Sequence, residues 1–130
     1  MSRASRTNPR IKTYIVGTGG IDDKKGYGVK LSADFTVIVC TGATDKCIGV
    51  IADGETYVAG DAIDIVIGGD CEVLCGTGGL ADGDFAGVDA SGTFVAKTTD
   101  LDWIVGIAES TAAAAEYATV EISKFTLSVA

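Results

Sequence analysis

The sequence predicts an all-β protein, a small barrel-like or sandwich-like domain, on three observations. The β-branched residues Val, Ile and Thr supply 39 of the 130 residues, whereas Leu occurs only 5 times. The turns must come from the 18 glycines and from Asp and Ser, because the single proline, Pro9, lies near the N-terminus. A mass of 13.2 kDa with 47% hydrophobic residues suits one packed domain and excludes a disordered chain.

An internal repeat organises the predicted domain. Residues 31–65 align without a gap with residues 88–122, and six of the 35 aligned positions are identical, against about two expected from average residue usage. We therefore expect two superposable β-motifs, joined by a linker at 66–87. Apolar positions correspond as well, so that Ile38, Ile48, Val50 and Ile63 match Val95, Val105, Ile107 and Val120.

Each copy is predicted to contain a β-hairpin, a third strand, a loop and a final strand. The turn sequences at 32–35 and 89–92 separate short apolar runs, as hairpin turns do. Gly49 and Gly106 fall inside the third strands, where glycine is typical of a bulge or a close backbone approach. The predicted strands are Val29–Leu31, Thr36–Cys40, Cys47–Ala52, Ala62–Ile67, Phe85–Val88, Thr93–Lys97, Trp103–Ala108 and Thr119–Ser123.

Two more strands are predicted outside the copies. Cys71–Cys75 forms a short apolar run within the linker, and Phe125, Leu127 and Val129 alternate with polar residues, as in a half-buried strand. The apolar phase changes between residues 122 and 124. This change predicts a β-bulge or a strand that crosses to a partner chain.

Charge divides the chain into a basic N-terminal segment and an acidic body. Residues 1–25 carry a net charge of +4, whereas residues 26–130 carry −12. A body of this sign repels nucleic acid, so no direct nucleic-acid partner is expected. The basic segment is either a solvated tail or a docking arm that lies on a neighbouring chain. Complementary charge favours the arm, whose contact residues would be Arg3, Arg6, Arg10 and Lys12.

The residue inventory argues against catalysis and cofactors. The chain has no histidine, which removes the commonest general base and the commonest metal ligand. Cys40, Cys47, Cys71 and Cys75 form no Cys-x-x-Cys pair, so a zinc site is not predicted. Cys40 and Cys47 flank one turn and are candidates for a disulfide, but reduced, buried thiols are the expected state. We therefore predict neither an enzyme nor a bound metal or cofactor.

No apolar run approaches the roughly 18 residues that a membrane span needs. The first residues also lack the apolar stretch of a signal peptide. We therefore expect a product made in the cytoplasm, with no membrane partner.

Segments within the two copies resemble the capsid decoration, or cement, proteins of tailed bacteriophages. The similar segments are LSADFTV (31–37), DKCIGVIA (45–52), VAGDAIDI (58–65), VDASGTFV (88–95) and DWIVGIAE (102–109). The resemblance covers about residues 27–123. It implies a β-barrel-like domain that associates as trimers on the outside of the phage head and has no catalytic activity. The basic segment and the cysteines are not part of the family pattern.

The hypothesis from the sequence is a structural head decoration protein, found in the virion on the outer capsid surface. Its partners would be the major capsid protein and other copies of itself, in a homotrimer. A free-standing β-barrel module that binds a glycan or a small ligand is the alternative. The chain has only nine aromatic residues, and they are scattered, so the sequence offers no aromatic-lined cavity for such a ligand.

Overall fold

The computed structural model describes residues 9–129 and is all-β, as predicted. Eleven strands and no helix are found within those residues. The loops at 53–61 and 109–118 contain short β-bridging segments and turns, and the four alanines at 112–115 form no helical turn. The strands are β1 (Arg10–Val16), β2 (Ile21–Asp22), β3 (Gly28–Ala33), β4 (Thr36–Val39), β5 (Gly49–Ile51), β6 (Thr56–Tyr57), β7 (Ala62–Leu74), β8 (Phe85–Val88), β9 (Phe94–Ala96), β10 (Trp103–Ala108) and β11 (Tyr117–Thr126).

Strand pairing divides the domain into two barrel-like halves. In the first half, residues 10–68, the order β1-β4-β3-β5-β7 returns to its start because β1 also pairs with β7. In the second half, residues 69–126, the order is β7-β11-β10-β8-β9, and a bridge between Cys75 and Phe94 brings the last strand back to the end of β7. Most pairs are antiparallel, but β1 runs parallel to β4.

The 13-residue strand β7 belongs to both halves. Its first part pairs with β1 and β5, and its second part, from Gly69 to Leu74, pairs with β11. The sequence predicted a strand ending at Ile67, a linker from residue 66 and a separate strand at Cys71–Cys75. The structure instead has one continuous strand, because residues 62–68 pair with β1 and β5 and residues 69–74 pair with β11.

The two halves share one pairing register across the hairpin and the third strand. Val29 pairs with Val39 in the first half. The residues 57 positions later, Ala86 and Ala96, pair with each other in the second half. The next pair of strands behaves in the same way, since Gly28 lies opposite Val50 and Phe85 lies opposite Ile107. Paired positions of these strands in the first half therefore recur 57 residues later in the second half, which is the spacing found in the sequence.

The final strand follows a spacing of 55. Val66 lies opposite Val50, whereas Glu121, not Ser123, lies opposite Ile107. The sequence matched Ile63 with Val120, and this match is wrong by two residues: Ile65 is the counterpart of Val120. The loop before the strand is two residues shorter in the second half, and an ungapped alignment does not register such a deletion.

The repeat also reaches further toward the N-terminus than predicted. The strand β1 corresponds to the second part of β7 at a spacing of 59, since Val16 and Cys75 make the same parallel pairing with Val37 and Phe94. Each of these stretches is followed by the same Gly-Thr-Gly-Gly sequence, at 17–20 and 76–79. Residues 66–87 are therefore largely the opening of the second repeat.

Two buried clusters form the core. One lies inside the first half and contains Tyr14, Val16, Ile21, Val29, Val37, Ile51, Ile63 and Ile65. The other fills the second half around Phe94 and Val105, and it includes Cys40, Cys47, Val50 and Val66 from the outside of the first half. Apolar side chains of the first half thus form part of the core of the second half and cover the side of it that faces them.

Gly49 and Gly106 occupy equivalent places, as the repeat predicts. A methyl group on Gly49 would meet the Val66 carbonyl and the Ile65 side chain, and one on Gly106 would meet the equivalent Glu121 carbonyl and Val120 side chain. Both strands need glycine because the neighbouring backbone lies too close for a side chain. A bulge next to Gly106, where Ile104 pairs with Phe125 and Gly106 with Ile122, explains the phase change at 122–124.

We expect Gly106→Ala to destabilise the domain by about 2–4 kcal/mol, since the added methyl must displace the Glu121 backbone. Gly42→Ala is the matched control, because the atoms nearest to its methyl would be those of the Asp45 carboxylate, at 3.2 Å or more. Urea unfolding followed by tryptophan fluorescence measures both. Equal midpoints for the two variants would contradict the close approach at Gly106.

Candidate interaction surfaces

Two of the four predicted arm residues lie in the first strand of the domain. Arg10 opens β1, and Lys12 pairs with Ile65 of β7, so residues 10–25 are built into the first half. The Lys12 amino group lies 5.4 Å from the Tyr14 ring centre and 5.5 Å from that of Phe35. Arg3 and Arg6 lie outside the described residues. That these four residues contact another chain stays a prediction.

All four lysines of the acidic body gather around residues 41–48, beside the junction of the halves. Lys97 and Lys124 of the second half donate hydrogen bonds to the Ala43 and Ile48 carbonyls of the first, at 3.1 and 2.8 Å. Lys46 lies over the Trp103 ring at 4.6 Å, and Lys30 binds Asp45 at 2.8 Å. Within a body of net charge −12, these cations are concentrated where the two halves meet.

Asp45 organises the loop that receives these lysines. Its carboxylate accepts hydrogen bonds from the Thr41 and Gly42 N–H groups, both at 2.9 Å. The hydrogen bond from Lys30, followed by those from the two backbone groups, lowers the pKa of Asp45 below its ordinary value. In the second half Asp102 accepts a hydrogen bond from the Thr99 N–H in the same way, but Gly87 stands at the position of Lys30.

Trp103 is half-buried at the junction. Its indole Nε1–H donates a hydrogen bond of 2.9 Å to the Cys47 carbonyl, across the two halves. Together with the Lys46 amino group over its ring, this contact assigns Trp103 to the interface between the halves. Tyr57 instead donates to Asp53 at 2.9 Å, and burial with this hydrogen bond raises the pKa of Tyr57 to about 12.

The four cysteines are free thiols. Cys40, Cys47 and Cys75 are buried, and Cys71 is partly exposed. The hydrogen bond with Cys47, together with burial, raises the pKa of Cys40. Burial raises the pKa of Cys71 to about 12. The thiols therefore serve as small apolar side chains within the packing.

Acidic side chains in the loops close turns. Asp61 accepts a hydrogen bond from the Val58 N–H, and its counterpart Glu116 accepts one from the Ala113 N–H. Asp84 does the same for the Ala81 N–H. Among residues 9–129, no three His, Cys, Asp or Glu side chains are placed to hold a metal ion together.

A shallow groove recurs on both halves. In the first half it has a volume of about 440 Å³ and is lined by Ile15, Gly17, Ser32, Thr36 and Ile38, among others. In the second half the equivalent groove, of about 330 Å³, is bordered by Tyr27 of the first half. The residues that line the first groove all belong to the first half.

Several large apolar side chains are exposed to solvent. The most exposed in the first half are Phe35 and Val58, at 63% and 64%. In the second half Phe85 and Phe125 form an edge-to-face pair with ring centres 5.6 Å apart, next to exposed Ile107. Contiguous exposed apolar side chains mark surfaces for protein contact. The sequence did not single out these residues, because strand alternation alone does not tell which apolar positions a neighbouring half covers.

The part of the chain that the structure describes contains no helix long and apolar enough to cross a membrane.

No family model and no curated protein sequence matches the chain. Among solved structures, it is similar to the N-terminal base of the head fiber protein gp8.5 of bacteriophage phi29. The two share 15% sequence identity with a TM-score of 0.62, over 94% of this chain and 100% of the other. The comparison shows a common all-β fold across nearly the whole length.

We expect Asp45→Asn to destabilise the protein by about 1 kcal/mol at neutral pH, through loss of the Lys30 ion pair. Because folding lowers the pKa of Asp45, its stabilisation is complete above the unfolded value of 3.8 and disappears as the pH falls through the folded value. The difference between variant and wild type should therefore vanish in acid. Urea titrations at several pH values measure it, with Asp102→Asn as the control that lacks a lysine partner; a difference that persists in acid would argue against the ion pair.

The thiols should react with a disulfide reagent only slowly while the protein is folded. At most one per chain, Cys71, should titrate in native protein, against all four in guanidinium. Its rate should rise about tenfold per pH unit up to pH about 12, because the thiolate is the reactive form. Cys71→Ala should abolish the native reaction. Rapid titration of Cys40 or Cys47 in folded protein would contradict their burial.

Proposed function

We propose that the protein is a structural component of a tailed-phage head, which binds the outer capsid surface and stabilises it. The observation that carries the proposal is the fold shared with a phage head fiber base over 94% of the chain. The segments at 31–65 and 88–109 add an independent sequence resemblance to head decoration proteins. The proposed role needs no catalytic site.

In this proposal each subunit bridges neighbouring major capsid proteins, as part of a homotrimer. A partner that binds only the assembled shell shifts the assembly equilibrium toward the shell. Specific interfaces of this kind bury on the order of 1,000 Å² or more, and several subunits acting together supply that area more readily than one 13.2 kDa chain.

The basic N-terminal residues are the proposed capsid contact. Arg10 and Lys12 fix one end of this segment to the first half, through their places in β1. Charges that meet across an interface mainly guide encounter and register, and salt screens them. The contact is therefore expected to weaken as ionic strength rises.

Cosedimentation with purified heads that lack the protein tests the proposal. The wild-type chain should bind saturably and should delay DNA release from the heads on heating. A chain that leaves heads bare and stays monomeric would support the alternative, a free-standing ligand-binding module. Binding without any change in DNA release would contradict the stabilising role.

A charge variant tests the N-terminal contact. Arg3→Gln/Arg6→Gln should leave the unfolding midpoint unchanged but reduce head binding several-fold at low salt, and the reduction should shrink at high salt, where screening already weakens the wild-type contact. Substitution of Lys24 and Lys25 by Gln removes the same charge elsewhere in the segment and is the matched control. Undiminished occupancy by the Arg3/Arg6 variant would exclude these residues from the contact.

A further inference from the structure

The junction between the two halves is a packed interface with two distinct sides. Each half contributes a glycine at the closest approach: a methyl on Gly28 of the first half would lie 2.7 Å from Val88 Cγ1, and one on Gly92 of the second half would lie 2.6 Å from Val39 Cγ1. Main-chain hydrogen bonds join the sides, from the Leu74 N–H to the Gly26 carbonyl and from the Gly28 N–H to the Gly92 carbonyl. Val50 of the first half is fully buried in the core of the second.

Because the chain is a repeat, each side of this junction has a counterpart at the other end of the molecule. The covered residues Leu74, Val88 and Gly92 correspond to Ile15, Leu31 and Phe35 of the first half. Val88 is 1% exposed, but Leu31 is 52% and Phe35 is 63% exposed. We call Ile15, Leu31 and Phe35 the hairpin face. The equivalent surface of the second half is covered by the first half, whereas the hairpin face is exposed to solvent.

The covering side has an open counterpart as well. Gly28 and Val50 of the first half correspond to Phe85 and Ile107 of the second, at equivalent paired positions. Val50 is buried, whereas Phe85 and Ile107 are each 37% exposed, and Phe125 packs edge to face against Phe85. We call Phe85, Ile107 and Phe125 the aromatic face. The two open faces therefore stand at the repeat positions of the two sides of the internal junction, with Phe85 and Phe35 where the junction has Gly28 and Gly92.

We propose that copies of this chain associate head to tail, with the aromatic face of one molecule seated on the hairpin face of the next. Charge supports this pairing, since exposed Glu121 lies opposite Ile107 on the aromatic face and Lys12 lies beside Phe35 on the hairpin face. The interface is heterologous, so it forms a ring where the rotation closes and a longer assembly where it does not. The inference rests on the self-association within the proposed function, and it names the surfaces.

Two variants block the two faces separately. Leu31→Lys/Phe35→Gly removes the hairpin face, and the glycine suits the backbone there because Phe35 has a φ of +51° and its counterpart is Gly92. Ile107→Lys removes the aromatic face and gives Glu121 an opposite charge across the strands. Val58→Lys is the matched control, since Val58 is 64% exposed and its counterpart Ala113 is exposed too.

Sedimentation velocity and light scattering over a dilution series measure association. Wild type and Val58→Lys should self-associate, and each face variant should be weakened at least about tenfold while keeping its unfolding midpoint. Mixing the two face variants should form a one-to-one heterodimer with nothing larger, because each still offers the face that the other lacks.

The outcomes separate this inference from capsid binding. A monomeric wild type, a face variant that associates like wild type, or a mixture without heterodimer would each overturn head-to-tail association. Wild type that associates as described but never binds phage heads would overturn the proposed function and leave this inference standing.

Discussion

Strand β7 is the constraint on which the rest of the fold depends. Its 13 residues form ladders with β1 and β5 in the first half and with β11 in the second, so neither half can close its set of strands without it. Ile65 and Val66 are consecutive and both buried, because one side chain faces each core. Gly69, with a φ of +75°, stands where the strand passes from one half to the other. Unfolding of one half therefore exposes the partner strands of the other.

The junction around β7 explains features that look unrelated along the chain. Gly26 and Gly28 let backbone of the first half approach the second closely enough for main-chain hydrogen bonds. Cys40 and Cys47 of the first half are buried there because they belong to the core of the second half. The lysines of the second half bind carbonyl groups at the same place, which brings cations to the most crowded part of an acidic body. The close backbone contacts, the buried cysteines and the lysines thus all lie at the junction between the two halves.

An internal repeat whose halves are joined asymmetrically leaves one copy of each contact surface unused. The first half fills the opening of the second half, but among residues 9–129 nothing covers the hairpin face and the aromatic face in the same way. Phe35 and Phe85 leave apolar ring surface in solvent, and the association that we propose would bury it. The fold is similar to that of a phage head fiber base, and this asymmetry supports the role based on assembly that we propose.

The sequence by itself determined the all-β class, the hairpins and the equivalence of Gly49 and Gly106, because β-branched residues and turn residues act over a few neighbours. It also determined a repeat spacing of 57, which is the ladder spacing of β3 and β4 with β8 and β9. Only the tertiary structure decided that residues 66–74 continue a strand, that Ile65 matches Val120, and that residues from Arg10 onward join the sheet. Those outcomes depend on which distant strand supplies the hydrogen-bonding partner. The difference in exposure between Leu31 and Val88 has the same origin, since similar side chains at equivalent positions are buried or exposed by what the other half covers.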